Sequence, residues 1–222
     1  MDVTRYGAIT AMTNKMKAFD ENAREYDAWF DRHSWVYQSE LRAVRMLLPQ
    51  SGKGVEIGVG TGRFSVPFGI ATGVEPSEEM AEIAKSRGIT VHDAKAEKLP
   101  FGDTTFDFVL MVTTLCFLEN PLEALQESSR ILCPAGTIII GMLDKNSPPG
   151  KLYEMKKQGS RFFKDARFYS VNQVLEWLQI TGYNNVRILQ TLFHNPEEIS
   201  DLEQVKEGHG EGLFVVISAR KN

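Results

Sequence analysis

The spacing of hydrophobic and polar positions changes several times along the chain, and each change predicts an element. Phe19, Ala23, Tyr26 and Phe30, then Leu41, Val44, Leu47 and Leu48, recur at helical spacing, which predicts helix over 19–48. The residues before about 17 are weakly patterned and are expected to be mobile. Residues 49–54, PQSGKG, end the helical stretch in a turn. Short strands are predicted at 54–58, 72–75 and 90–92, with a helix over 77–87 that takes Ser77 as its N-cap and carries Met80 in its first turns. Residues 106–112, FDFVLMV, are almost continuously apolar, the pattern of a central strand in a parallel sheet. A helix at 121–132, a strand at 136–142, a helix at 171–181 ended by Gly182, and strands at 186–193 and 213–219 complete the series. Residues 144–170 break the rhythm with Pro148, Pro149, Gly150 and Gly159, followed by Arg161-Phe162-Phe163-Lys164.

Strands alternating with helices predict an α/β fold, a mostly parallel sheet with helices on both faces. The last two strands lack a helix between them, so one of them is expected to run antiparallel. A length of 222 residues favours one elaborated domain over two. The net charge of −4 offers no electrostatic footprint for nucleic acid. His33, His92, His194 and His209 have no metal-ligand spacing. Cys116 and Cys133 form no CxxC pair, and two sparse cysteines point to a reduced, cytoplasmic setting. No apolar leader opens the sequence and no run of about 18 apolar residues occurs, so neither a signal peptide nor a membrane span is expected.

The most informative stretch is Val55-Glu56-Ile57-Gly58-Val59-Gly60-Thr61-Gly62. A strand that ends in GxGxG and leads into a helix lets backbone pass close to a ligand. Glu75 ends the next strand, which in a doubly wound sheet sets its carboxylate over the same crevice. A carboxylate there can accept both hydroxyls of a ribose, so an adenosine-containing ligand is expected. A dinucleotide loop reads GxGxxG, whereas here the third glycine is Gly62 and Arg63 takes the later place. That spacing disfavours a nicotinamide-dependent oxidoreductase. The plainer reading, a glycine turn of the kind common after strands, does not account for the agreement of strand, loop and acid.

The loop resembles the first motif of class I S-adenosylmethionine-dependent methyltransferases, and further pieces follow in order. Val74-Glu75-Pro76-Ser77 with Met80 resembles "GVDPSxxML". Glu97-Lys98-Leu99-Pro100-Phe101 with Phe106-Asp107 is similar to "AExLPFxDxSFD", and Arg130 to Gly136 to "RVLKPGG". FDENAREYDAWF at 19–30 resembles the entry helix of the small-molecule branch that includes the ubiquinone and menaquinone biosynthesis methyltransferases. The resemblance covers roughly 19–190. It implies a Rossmann-like, seven-stranded, mostly parallel sheet with an antiparallel last strand. Residues 1–48 would form a helical lid, 49–143 the cofactor-binding half, 144–170 a substrate-cover insertion and 171–222 the C-terminal helix and strands. The implied cofactor is S-adenosylmethionine, the product S-adenosylhomocysteine, and the partner a small-molecule methyl acceptor.

The resemblance also implies contacts. Glu56 and the backbone at Gly58 and Gly60 would hold the methionine end, with Gly62 completing the cofactor loop, and Glu75 would take the ribose. Pro76 and Met80 would flank the adenine, with Lys95, Ala96 and Glu97 on its other side and Val112 and Thr113 near the sulfur. Relatives often carry Asp where this chain has Lys95, which cannot accept a hydrogen bond. They also often carry "LHH" where it has Leu115-Cys116-Phe117. A non-catalytic module that keeps the cofactor as a ligand would show the same glycines and acid.

The acceptor is expected between the N-terminal helices and the 144–169 stretch, both rich in aromatic residues. Tyr26, Tyr37 and Phe163 would line the pocket, with Cys116 and Phe117 on its floor. Plain packing would equally explain Cys116 and the aromatic set of Tyr26, Trp29, Trp35 and Tyr37. Methyl transfer needs alignment and water exclusion more than acid or base chemistry, and the sequence offers no clear base. His33, beside the aromatic set, is the nearest candidate.

Overall fold

The computed structural model describes the backbone of residues 3–222 and the side chains of residues 17–222. The predicted 19–48 helix is two helices. α1 (Val3–Arg32) kinks at Asn22 and starts well before the predicted boundary. α2 (Ser34–Leu47) begins after a break at His33, and its buried stripe of Val36, Tyr37, Leu41, Val44 and Leu47 repeats at helical spacing. The side chains of 1–16, and with them the expected mobility there, lie outside the described residues.

Then come β1 (Gly54–Ile57), α3 (Ser65–Phe68), β2 (Thr72–Val74), α4 (Glu78–Ser86), β3 (Thr90–His92) and β4 (Phe106–Val112). α5 (Pro121–Ile131) runs straight into β5 (Leu132–Leu143). The expected irregular stretch contains α6 (Pro148–Lys156), whose two prolines fill the first turn while the Ser147 hydroxyl accepts from Gly150 N. First-turn amides have no helical partner in any case, so proline costs nothing there. α7 (Val171–Ile180), β6 (Tyr183–Thr191), β7 (Lys206–Glu207) and β8 (Phe214–Lys221) complete the chain.

The sheet has 8 strands in the order β3-β2-β1-β4-β5-β8-β6-β7. The strand beyond the expected seven is β7, two residues of the acidic segment paired antiparallel to β6. β1 to β5 are parallel, and β8 lies antiparallel between β5 and β6. The reversal expected of the last strand is therefore present, with that strand in the interior of the sheet.

Side-chain alternation divides each central strand between two cores. Val109 and Met111 of β4, Ile138 and Ile140 of β5, and Val215 and Ile217 of β8 face α5 and α7. Leu110 and Val112, Ile139, and Phe214 and Val216 face α1 and α2. Burial on both faces is why these strands read as unbroken apolar runs. Among the described residues no helix is long and apolar enough to cross a membrane. Nor does any cluster of His, Cys, Asp or Glu among them suit a metal ion.

Candidate active site

β1 ends in a loop whose glycines are required at two points. Gly58 has φ +71°, and a Cβ on it would lie 2.5 Å from Thr114 Oγ1. Gly62 has φ +85°, and a Cβ on it would meet Ile89 Cδ1 at 2.5 Å. The first lets the loop pass the end of β4; the second packs it against α4 and β3. Glu75, just past β2, accepts from Gly60 N (2.9 Å) and Ser77 N (3.0 Å). Burial pushes its carboxyl up to about 7 against those two hydrogen bonds.

These segments wall a cleft at the carboxyl ends of β1, β2 and β4. Of the residues expected there, Gly58, Gly60, Glu75, Pro76, Met80, Lys95, Ala96, Glu97, Val112 and Thr113 all line it, together with Tyr26 and Phe117. Glu56 and Gly62 do not. Glu56 projects to the opposite sheet face from Val55 and Ile57, and its buried carboxylate accepts from Ser65 Oγ at the start of α3. Glu97 Oε1 accepts from the amides of Glu119 (3.0 Å) and Asn120 (3.2 Å), which fixes the segment before α5 against the cleft. Lys95 Nζ lies 3.6 Å from Glu119 Oε1.

A second space, a chamber of about 470 Å³, opens beside the cleft, and Tyr26 and Thr113 line both. Its aromatic wall comes from Tyr26, Trp29 and Phe30 of α1, Phe64, Tyr153 of α6, and Phe162 and Phe163. Phe162 joins the 144–170 stretch to α1, lying 5.5 Å from the ring of Phe19 and 5.3 Å from that of Tyr26. Arg161 pins the same loop to α1 through Asn22 and Glu25.

Of the residues expected in the acceptor pocket, Tyr26 and Phe163 face the chamber, while Phe117 faces the cleft. Cys116 and Tyr37 face neither. Cys116 is buried against Ala166 and Phe168, with its thiol donating to Thr113 O at 3.2 Å. Tyr37 lies on the sheet-facing stripe of α2, and its hydroxyl donates to Arg63 O. His33 stacks on Trp29 at 4.5 Å and sets Nε2 3.5 Å from Glu197 at the chamber rim. Trp35 is exposed.

Sequence reasoning missed two acids. Asp27 accepts from Thr61 Oγ1 (2.7 Å), Arg63 Nε (2.8 Å) and Arg87 Nη1 (2.7 Å), a knot that ties α1 to the glycine loop and to α4. Burial pushes its carboxyl up, but the hydrogen bonds from Arg87, Arg63 and Thr61 overcome that and hold it well below the usual carboxylate range. Glu40 lines the chamber and is 7% exposed. One signal could have found both. Asp27 falls among Ala23, Tyr26 and Phe30, and Glu40 among Val36, Tyr37 and Val44, so each is an acid on an apolar helical stripe.

A model of the methyltransferase domain matches residues 55–140, the stretch that builds most of the cleft. A solved structure from Thermotoga maritima, described as an S-adenosylmethionine-dependent methyltransferase and possible histamine N-methyltransferase, superposes with a TM-score of 0.90. It shares 49% sequence identity over 94% of this chain and 100% of that one. The chain belongs to the class I S-adenosylmethionine-dependent methyltransferases. The cofactor of this methyltransferase is thus S-adenosylmethionine, and a nicotinamide-dependent oxidoreductase is ruled out. An uncharacterised relative from Methanocaldococcus jannaschii is 50% identical over 93% of the methyltransferase and 100% of its own length. The demethylmenaquinone methyltransferase of Staphylococcus aureus is 28% identical over 76% of this methyltransferase and 77% of its own chain.

Proposed function

We propose that this methyltransferase holds S-adenosylmethionine in the cleft and transfers its methyl group to a small-molecule acceptor in the chamber. The observation that carries the reading is the shared wall. Tyr26 and Thr113 border both spaces, so a group at the inner end of the cleft faces whatever occupies the chamber.

The cleft residues fit the cofactor. Glu75 offers a buried carboxylate to a pair of ribose hydroxyls. A methyl group on Gly60 would have only Met80 Cε nearby, at 3.6 Å, so the loop leaves room for a ligand. Met80, Ala96 and Leu118 give apolar surface for a flat base. When bound, the cofactor supplies a methyl group already activated on a sulfonium. The chain's own work is then to align donor and acceptor and to exclude water. Phe19, Tyr26 and Phe162 do the latter as one aromatic cluster over both spaces.

A small acceptor fits a chamber of about 470 Å³. The net charge of −4 does not favour a nucleic acid. Histamine and demethylmenaquinone, in the names of two relatives, are both small molecules. Cys116 and Cys133 are free thiols, which fits a reduced cytoplasmic setting.

A thermal-shift series with S-adenosylmethionine, S-adenosylhomocysteine and NAD tests the cleft. At 100 times its dissociation constant the true ligand adds about 2.7 kcal/mol. A shift with NAD and none with either methionine derivative would refute the reading. Incubation with a methyl-labelled donor and a cell extract tests the acceptor: label is expected in small molecules, and label confined to protein or RNA would exclude them.

A further inference from the structure

The chamber is lined by aromatic rings yet contains a buried acid. Glu40, on the inner stripe of α2, is 7% exposed and borders the chamber. Among the described residues no hydrogen bond or ion pair reaches its carboxylate, and burial alone sets its proton affinity. The cations nearby are engaged or peripheral. Lys157 Nζ lies 2.6 Å from Glu154 Oε1 and donates to Ala166 O at 2.9 Å. Lys156 is exposed. Apolar surroundings with no partner penalise a carboxylate by several kcal/mol, and a helix position among Val36, Tyr37 and Val44 would ordinarily hold an aliphatic side chain.

We propose that the chamber takes an acceptor bearing a basic nitrogen, and that Glu40 is the anion that selects and holds it. This rests on the reading of the chamber as the acceptor site. An ammonium group supplies the positive charge and the hydrogen-bond donors that the carboxylate lacks. The rings of Tyr26, Trp29, Tyr153 and Phe162 give the same cation electron-rich faces. A neutral hydrophobic acceptor would leave Glu40 unsatisfied, and an anionic one would keep it protonated and gain no ion pair.

The proton balance gives an independent readout. Burial raises Glu40 to about 8, so near pH 7 the empty chamber holds a protonated carboxyl. An entering ammonium restores the carboxylate, and the displaced proton goes to the buffer. The titratable groups around Glu40 are Tyr26 of α1, Tyr37 of its own helix and Tyr153 of α6, with Lys156, Lys157 and Glu197 elsewhere on the chamber wall. Burial moves the three tyrosines further up, away from neutrality.

The test is calorimetry on the whole chain saturated with S-adenosylhomocysteine, with three probes of one shape: 2-phenylethylamine, 2-phenylethanol and phenylacetate. The amine is expected to bind at least about tenfold more tightly than the other two, with proton release in paired buffers of different ionisation heat. Glu40→Gln should remove both the preference and the proton release while leaving affinity for S-adenosylhomocysteine within about twofold. Glu40→Asp, which keeps the charge, should retain a preference for the amine and so guards against a packing artefact of the first variant. No binding by the amine, equal binding by the alcohol or the acid, or an unchanged preference in Glu40→Gln would overturn the inference while the cofactor reading stands. Failure of the wild-type chain to bind S-adenosylhomocysteine would overturn the cofactor reading and this inference with it.

Discussion

Asp27 and Glu40 are both acids on the inner faces of the N-terminal helices, and their surroundings are opposite. Asp27 is met by two guanidinium groups and a hydroxyl, and its carboxyl is held low. Among the described residues no hydrogen bond or ion pair meets Glu40, and burial pushes its carboxyl up. A buried charge that the fold itself neutralises works as a fastener, here between a helix and the glycine loop. A buried carboxyl left without a partner gives up its charge in the empty protein and regains it when a cation enters. The same residue class thus marks structure in one place and specificity in the other.

The contrast is sharpest in the pH dependence of stability. Glu40 has a folded-state pKa of about 8, raised from 4.5, so its protonated form is the one the fold favours. Its stabilising contribution is complete below about pH 4.5 and is lost as pH rises through 8. Between pH 5 and 9, wild type should therefore lose about 4 kcal/mol relative to Glu40→Gln. Urea midpoints at several pH values measure this. Parallel curves for the two proteins would mean that the carboxyl is solvated after all.

Asp27→Ala should act in the opposite direction. It leaves Arg63 and Arg87 without their shared anion and is expected to cost about 3 kcal/mol at neutral pH, seen as a lower denaturation midpoint. Glu75→Ala should instead leave stability near wild type and weaken S-adenosylhomocysteine by about 2 kcal/mol, with Lys95→Ala losing less. Because the Glu75 pKa lies near 7, protonation below that value makes it a poorer acceptor for ribose hydroxyls. Affinity should fall about tenfold from pH 8 to pH 6 in wild type and stay flat in the variant. The smallest effect is expected from Tyr37→Phe, which removes one hydrogen bond to Arg63 O and should cost about 1 kcal/mol of stability without altering acceptor turnover. A change in turnover would return Tyr37 to the pocket wall.

The cleft was largely legible in the sequence because a parallel sheet leaves few places for its parts. Gly58 at the end of one strand and Glu75 at the end of its neighbour must share a crevice, since β1 and β2 pair in register at Ile57 and Val74. The central strands were legible because burial on both faces removes polar residues from them. The chamber was less so. A helical stripe shows which residues turn inward but not what they meet, so Tyr37 was expected at a ligand and instead reaches a backbone carbonyl. Glu40 was passed over because one acid hardly disturbs an apolar stripe. The prolines of α6 were read as a loop because proline marks a helix start as readily as a break. β7 has only two residues, too few to carry any period.

The place of β8 has a consequence for the order in which the molecule can be built. Residues 214–221 form the strand between β5 and β6, so the sheet has a gap in its interior until that segment emerges from the ribosome. Among the described residues the cleft is lined from within 19–119, whereas the chamber also needs residues from Leu143 to Leu213. A nascent chain therefore carries the parts of the proposed donor site well before those of the proposed acceptor site. On the proposed reading, the space that would select the acceptor is complete only with Leu213, immediately before the strand that fills the sheet.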